Sequence, residues 1–68
     1  MEQVNSSNIS AVDYDSETTT LTVVFRSGTT YSYAGVPQDT YEALRNASSP
    51  GRYFQTAIKD SYSGVRVG

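Results

Sequence analysis

The sequence predicts an α+β domain: a three-stranded antiparallel meander, then two short helices packed on one face, with a tail able to add a short C-terminal edge strand. Three observations carry this. Apolar residues alternate over the N-terminal half, they recur three and four positions apart from Tyr41 to Ile58, and the change of period falls at Ala34-Gly35-Val36-Pro37. Strands grouped before helices place the helices together on one side of the sheet.

The opening MEQVNSS is polar and aperiodic and reads as a flexible arm over residues 1–7, which leaves a single domain over residues 8–68. The first strand falls in NISAVDY, residues 8–14, where Val12 and Tyr14 share a face. Asp15, Ser16 and Glu17 make the turn. The next strand, from Thr18 to Arg26, is rich in β-branched residues, with Leu21, Val23 and Phe25 on one face and Thr20, Thr22, Val24 and Arg26 on the other. Thr29 to Ala34 completes a hairpin. A two-residue loop of Ser27 and Gly28 would pair Val24 with Tyr31 and turn both hairpin tyrosines away from Phe25. A type I turn with Gly28 left-handed as a bulge instead pairs Phe25 with Thr29 and Val23 with Tyr31. The bulge is preferred, because it gathers Leu21, Val23, Phe25, Tyr31 and Tyr33 on one buried surface.

Pro37 suits a first helical position, and Tyr41, Leu44 and Ala47 give the following helix a narrow apolar stripe. Ser49 reads as a cap, Pro50 as the first residue of a second helix running to about Lys59, and Tyr53, Phe54, Ala57 and Ile58 as its buried stripe. Val65 and Val67 alternate around Arg66 in the tail. The second sheet face, lined by Thr20, Thr22 and Thr30, is polar.

Composition excludes much. The 68 residues contain no Cys and no His, so disulfides, thiolate metal sites and the commonest general base are missing. A chain of this size buries only about 60% of its unfolded surface, which argues against a deep catalytic cleft and for a protein that is not an enzyme. Asp13, Asp15 and Glu17 form a small acidic cluster without the glycine and distal glutamate of a calcium loop, and read as a solvated turn. No metal and no cofactor are expected. The longest apolar run, Leu21 to Phe25, is too short for a membrane span. The net charge of −2 hides an asymmetry: residues 1–44 hold six acids against Arg26, residues 45–68 hold Arg45, Arg52, Lys59 and Arg66 against Asp60. A basic end points to an anionic partner, or simply to solvated helices.

In order, Leu21-x-Val23-x-Phe25, Gly28, Tyr31-x-Tyr33, Val36-Pro37, Tyr41, Ala47, Ser49-x-Gly51, Tyr53-Phe54, Ile58 and Tyr62 resemble the KTSC domain family, named for a domain at the C-terminus of some lysyl-tRNA synthetases. The resemblance covers about Ile9 to Tyr62. It implies a domain that also occurs as small free-standing bacterial and phage proteins, with RNA suggested as a ligand by the synthetase context and no established activity; with no apolar run long enough for a span or signal segment, the expected location is the cytoplasm of a bacterial or phage-infected cell. It supplies no set of binding residues, and the overall acidity here weighs against a long RNA track.

Candidate residues therefore come from the physical reading. In SSPGRYF the start of the second helix offers unpaired N–H groups beside Ser49, Gly51 and Arg52, an arrangement suited to a phosphate or carboxylate. Tyr33, Tyr53 and Tyr62 are candidates to stack a base. The expected function is a small non-enzymatic binding module recognising a nucleotide-like anion or short RNA at that helix start. The alternative is a protein-interaction or self-assembly domain, a homo-oligomer or a complex with another protein, using the threonine face or the last strand.

Overall fold

The computed structural model describes residues 2–4 and 6–68; Met1 and Asn5 of the expected arm lie outside them. Five strands form one antiparallel sheet in sequence order: β1 (Glu2–Gln3), β2 (Ile9–Asp15), β3 (Thr20–Phe25), β4 (Thr30–Tyr33) and β5 (Gly64–Arg66). Helix α1 (Gln38–Asn46) and helix α2 (Pro50–Tyr53), the latter continued by a π-helical segment over Phe54–Ile58, lie between β4 and β5. The expected class is observed, with the tail strand present. Where the sequence suggests an arm without regular structure, Glu2–Gln3 pair with β2 and Val4 is buried in the core. One valine among polar neighbours gives no periodicity, so that pairing has no signal in the sequence.

The hairpin between β3 and β4 takes the bulged register. Val23 pairs with Tyr31 and Leu21 with Tyr33. The Gly28 amide donates to the Phe25 carbonyl at 2.9 Å, the Phe25 amide donates to the Thr29 carbonyl at 2.9 Å, and Gly28 has φ +95°, a conformation open to glycine. A second irregularity, between Ile9 and Ala11, shifts the register of β2 so that Ile9 pairs with Phe25 while Val12 pairs with Val23. Ile9, Val12 and Tyr14 thereby share the helix-covered face although their spacing in sequence is uneven.

Two rows cross that face from strand to strand: Val12, Val23, Tyr31 and Arg66, and Tyr14, Leu21, Tyr33 and Gly64. Over them pack Leu44 from α1 and Phe54 and Ile58 from the second helical segment, and Ile9, Val12, Leu21, Val23, Val36, Leu44 and Ile58 are sealed from solvent. Burial of such aliphatic side chains contributes about 1.5–3 kcal/mol each, the main favourable term in a domain this small. The opposite face carries the expected Thr22 and Thr30, and with them Val24 and the exposed Val65.

Three local expectations are corrected. Pro37 is not the first helical residue of α1 but its N-cap, extended at φ −64° and ψ 151°, as the restriction proline sets on φ allows in either role. Ser49 occupies the N-cap position of α2 but makes no side-chain capping bond. The second helix spans about the expected residues, yet past Tyr53 it widens: the Lys59 amide donates to the Phe54 carbonyl at 2.9 Å, one residue farther than in an α-helix. The Thr56 hydroxyl lies 3.1 Å from the Arg52 carbonyl and 3.3 Å from the Tyr53 carbonyl, donating to the backbone where the widening begins.

Candidate nucleotide-binding groove

Two cavities open side by side between the β3–β4 hairpin, the segment before β2 and the second helix. The larger, 610 Å³, is walled by Ile9, Phe25, Tyr31, Tyr33 and Phe54, floored in part by Gly64, and rimmed by Ser7, Asn8, Arg26, Ser27, Gln55 and Lys59. The smaller, 360 Å³, has no aromatic lining; Ser6, Ser7, Ser48 and Ser49 surround it with Asn8, Pro50, Gly51, Arg52 and Gln55. Ser7, Asn8, Gly51 and Gln55 belong to both, so the two form one groove.

Backbone geometry explains why this groove exists. Arg26 leaves β3 at the hairpin and fastens the segment before β2: its Nε donates to the Ser6 carbonyl at 2.6 Å and its amide donates to the Asn8 carbonyl at 2.8 Å. The Ser6 hydroxyl accepts from the Asn8 and Ile9 amides at 3.2 and 3.3 Å. That turn abuts the start of α2, where a Cβ on Gly51 would stand 3.0 Å from Ser6 Oγ. Buried Gly51 is therefore a contact point for the loop more than an open anion cradle.

The aromatic wall is an edge-to-face cluster. Phe54 meets Phe25 at 5.4 Å and 72° and Tyr33 at 5.4 Å and 75°, while Phe25 meets Tyr31 at 6.0 Å and 82°. Such contacts add about 0.5–1.5 kcal/mol each beyond area burial and hold the rings at fixed angles. Tyr33 is 5% exposed. Burial, and secondarily the neighbouring Tyr31, hold its hydroxyl proton more tightly than the ordinary 10.0.

Of the candidate residues, Ser49, Gly51 and Arg52 come together around the smaller cavity and Tyr33 lies in the larger. Tyr53 and Tyr62 line neither; both are half-buried against the core. Reading by sequence missed Phe25, Tyr31 and Phe54 as walls, and Arg26 and Lys59 as rim cations. The basic end is divided: Arg45 pairs with Glu42 and lies over the Tyr41 ring, and Arg66 Nε donates to the Gly68 carbonyl. Arg52 and Lys59 reach the groove, where Arg26, drawn from the acidic half of the chain, joins them. Among the described residues neither cavity is lined by a carboxylate, and Arg52 has no ion pair.

Among the described residues no group of three or more His, Cys, Asp or Glu could hold a metal ion, and no helix is long and apolar enough to cross a membrane. A family model described as the KTSC domain matches residues 5–62. The chain is 47% identical over 49 residues to a lysine–tRNA ligase of Trichormus variabilis, covering 72% of this chain and 9% of that one. An uncharacterised protein of Stutzerimonas stutzeri is 37% identical over 59 residues, 87% of this chain and 83% of that protein. The chain thus spans about a tenth of the ligase and most of the small protein. The crystal structure of a KTSC domain protein from Yersinia pestis superposes with a TM-score of 0.94 at 34% identity, covering 98% of this chain and 94% of that one. A shared sequence pattern, a matching small relative and a superposable solved structure place the chain in the KTSC domain family.

Proposed function

We propose that the protein is a non-enzymatic binding module that holds a nucleotide unit of a short single-stranded RNA, its phosphate near Arg52 and its base against the aromatic wall. The observation that carries this reading is the convergence of Arg26, Arg52 and Lys59 on an aromatic groove with no carboxylate among the described residues of its lining, in a chain whose net charge is −2.

The fold achieves this by separating charge. Arg26 lies at the β3–β4 end of the sheet, whereas Asp15 and Glu17 lie at the β2–β3 end, and the Val36 amide donates to the Thr19 carbonyl, which brings the start of α1 with Asp39 to that same far end. The six residues of β3 separate the ends by roughly 17–20 Å at about 3.4 Å per residue. That exceeds the screening length of about 10 Å at 0.1 M salt, so Asp15, Glu17 and Asp39 do not cancel the groove's attraction for phosphate. Three cations suit at most three phosphates and not a long strand, and stacking of one base adds about 1–3 kcal/mol. Occurrence of the same domain within lysine–tRNA ligases, whose name states a tRNA substrate, supports RNA as the ligand class.

The test is an amide NMR titration with four-nucleotide RNAs. Shifts clustered on Asn8, Arg26, Arg52, Gln55 and Lys59, weakened in Arg52→Glu, are expected. Shifts scattered elsewhere, or titrations that Arg52→Glu leaves unaltered, would remove the reading.

A further inference from the structure

Two tyrosines of the helix-covered face behave differently. The Tyr14 hydroxyl donates to the Val36 carbonyl at 2.6 Å. The Tyr33 hydroxyl makes no hydrogen bond among the described residues, although the residue is 95% removed from solvent. It is not sealed in either: the residue lines the larger cavity. Buried tyrosine hydroxyls ordinarily find a partner, and one left open to a cavity awaits an acceptor from outside the chain.

The ring carrying that hydroxyl is not free to seek another partner. Phe54 stands edge-on to it at 5.4 Å, Tyr31 is roughly parallel at 6.3 Å, and its far edge lies over Gly64. Its proton is held more tightly than usual, so the hydroxyl is a donor at neutral pH.

We infer that the larger cavity is a ring-binding site in its own right, taking an uncharged planar heterocycle that presents a hydrogen-bond acceptor to the Tyr33 hydroxyl. Identification of that ring as a nucleobase rests on the proposed nucleotide binding, but the site itself does not need the phosphate. Phe25 and Phe54 supply apolar contact, Tyr33 the donor, and Asn8 and Gln55 at the rim supply amides able to bond a heterocycle edge.

Uridine and adenosine, which carry no phosphate, are the probes. Titration is followed by the ring protons of Phe25, Tyr33 and Phe54, in low and high salt. Saturable shifts that salt does not weaken are expected, with affinity for at least one nucleoside falling about two- to tenfold in Tyr33→Phe, as loss of one hydrogen bond requires. An unchanged amide spectrum verifies that this variant folds. Absence of saturable shifts with both nucleosides, or equal affinities for Tyr33→Phe and the parent, overturns the inference. Nucleoside binding without RNA binding removes the RNA reading alone; RNA binding without nucleoside binding removes this one alone.

Discussion

A Cβ built on Gly64 would stand 2.5 Å from Cε2 and 2.9 Å from Cζ of Tyr33. The last strand of the sheet therefore passes directly beneath the ring that forms one wall of the groove, and only a residue without a side chain fits there. Both obstructing atoms belong to a ring fixed by Phe54, so the clash has no easy release. Gly64→Ala is expected to lose about 1–3 kcal/mol from overpacking, in spite of the 0.5–1 kcal/mol or so that alanine ordinarily gains over glycine. Chemical denaturation measures this, and a variant as stable as the parent would show that Tyr33 is free to move.

Tyr14 joins the sheet to the start of α1 by its bond to the Val36 carbonyl and by stacking on Tyr41 at 4.9 Å and 10°. Tyr14→Phe removes only the bond. The expected loss is about 1 kcal/mol, which lowers the melting temperature by roughly 4–8 °C in a domain of this length. Calorimetry showing no decrease would mean that solvent satisfies the Val36 carbonyl equally well.

Thr19 ends the β2–β3 turn with φ +53°, left-handed backbone that a β-branched residue resists. That conformation costs about 1–2 kcal/mol, and the greater chain entropy of glycine offsets about 0.5–1 kcal/mol of the relief. Thr19→Gly should therefore gain roughly 0.5–1 kcal/mol, read as a higher denaturant midpoint at unchanged slope. A lower midpoint would show that the Thr19 hydroxyl's bond to the Thr18 carbonyl outweighs the strain.

Much of this fold was legible because local rules agree with it. Alternation in LTVVF announced the central strand, and the advantage of gathering Leu21, Val23, Phe25, Tyr31 and Tyr33 on one surface selected the bulged turn at Gly28 over a two-residue loop. Two features were not legible for a physical reason. The π-helical widening depends on a single backbone bond register at Phe54 and Lys59, which no side-chain period announces. The groove draws Arg26, Asn8 and Lys59 together from distant positions, and the Arg26 bonds to Ser6 and Asn8, which tie the hairpin to the segment before β2, have no signature in the sequence. Sequence reasoning therefore found the helix start at Ser49, Gly51 and Arg52 but not the aromatic cavity beside it.

Alkaline pH tests the burial of Tyr33. The Tyr33 proton is held above the ordinary 10.0 by burial and by Tyr31, so from about pH 10 upward the unfolded chain ionises at this residue while the folded chain resists. The folded state then binds more protons than the unfolded one, and stability falls as pH rises through this window. Ultraviolet titration should show Tyr33 ionising late. Tyr33→Phe should abolish that late component and flatten the alkaline decline; a variant with the same profile would assign the late component elsewhere.

The cationic groove is tested most directly by the salt dependence of affinity for a short single-stranded RNA, measured with the parent, Arg52→Gln and Lys59→Gln. If Arg26, Arg52 and Lys59 each meet a phosphate, log K falls with log salt at a slope of about −2, and each variant reduces that slope by about 0.7. Binding that is absent, or whose salt slope is the same in all three proteins, would contradict a cationic groove built to hold RNA.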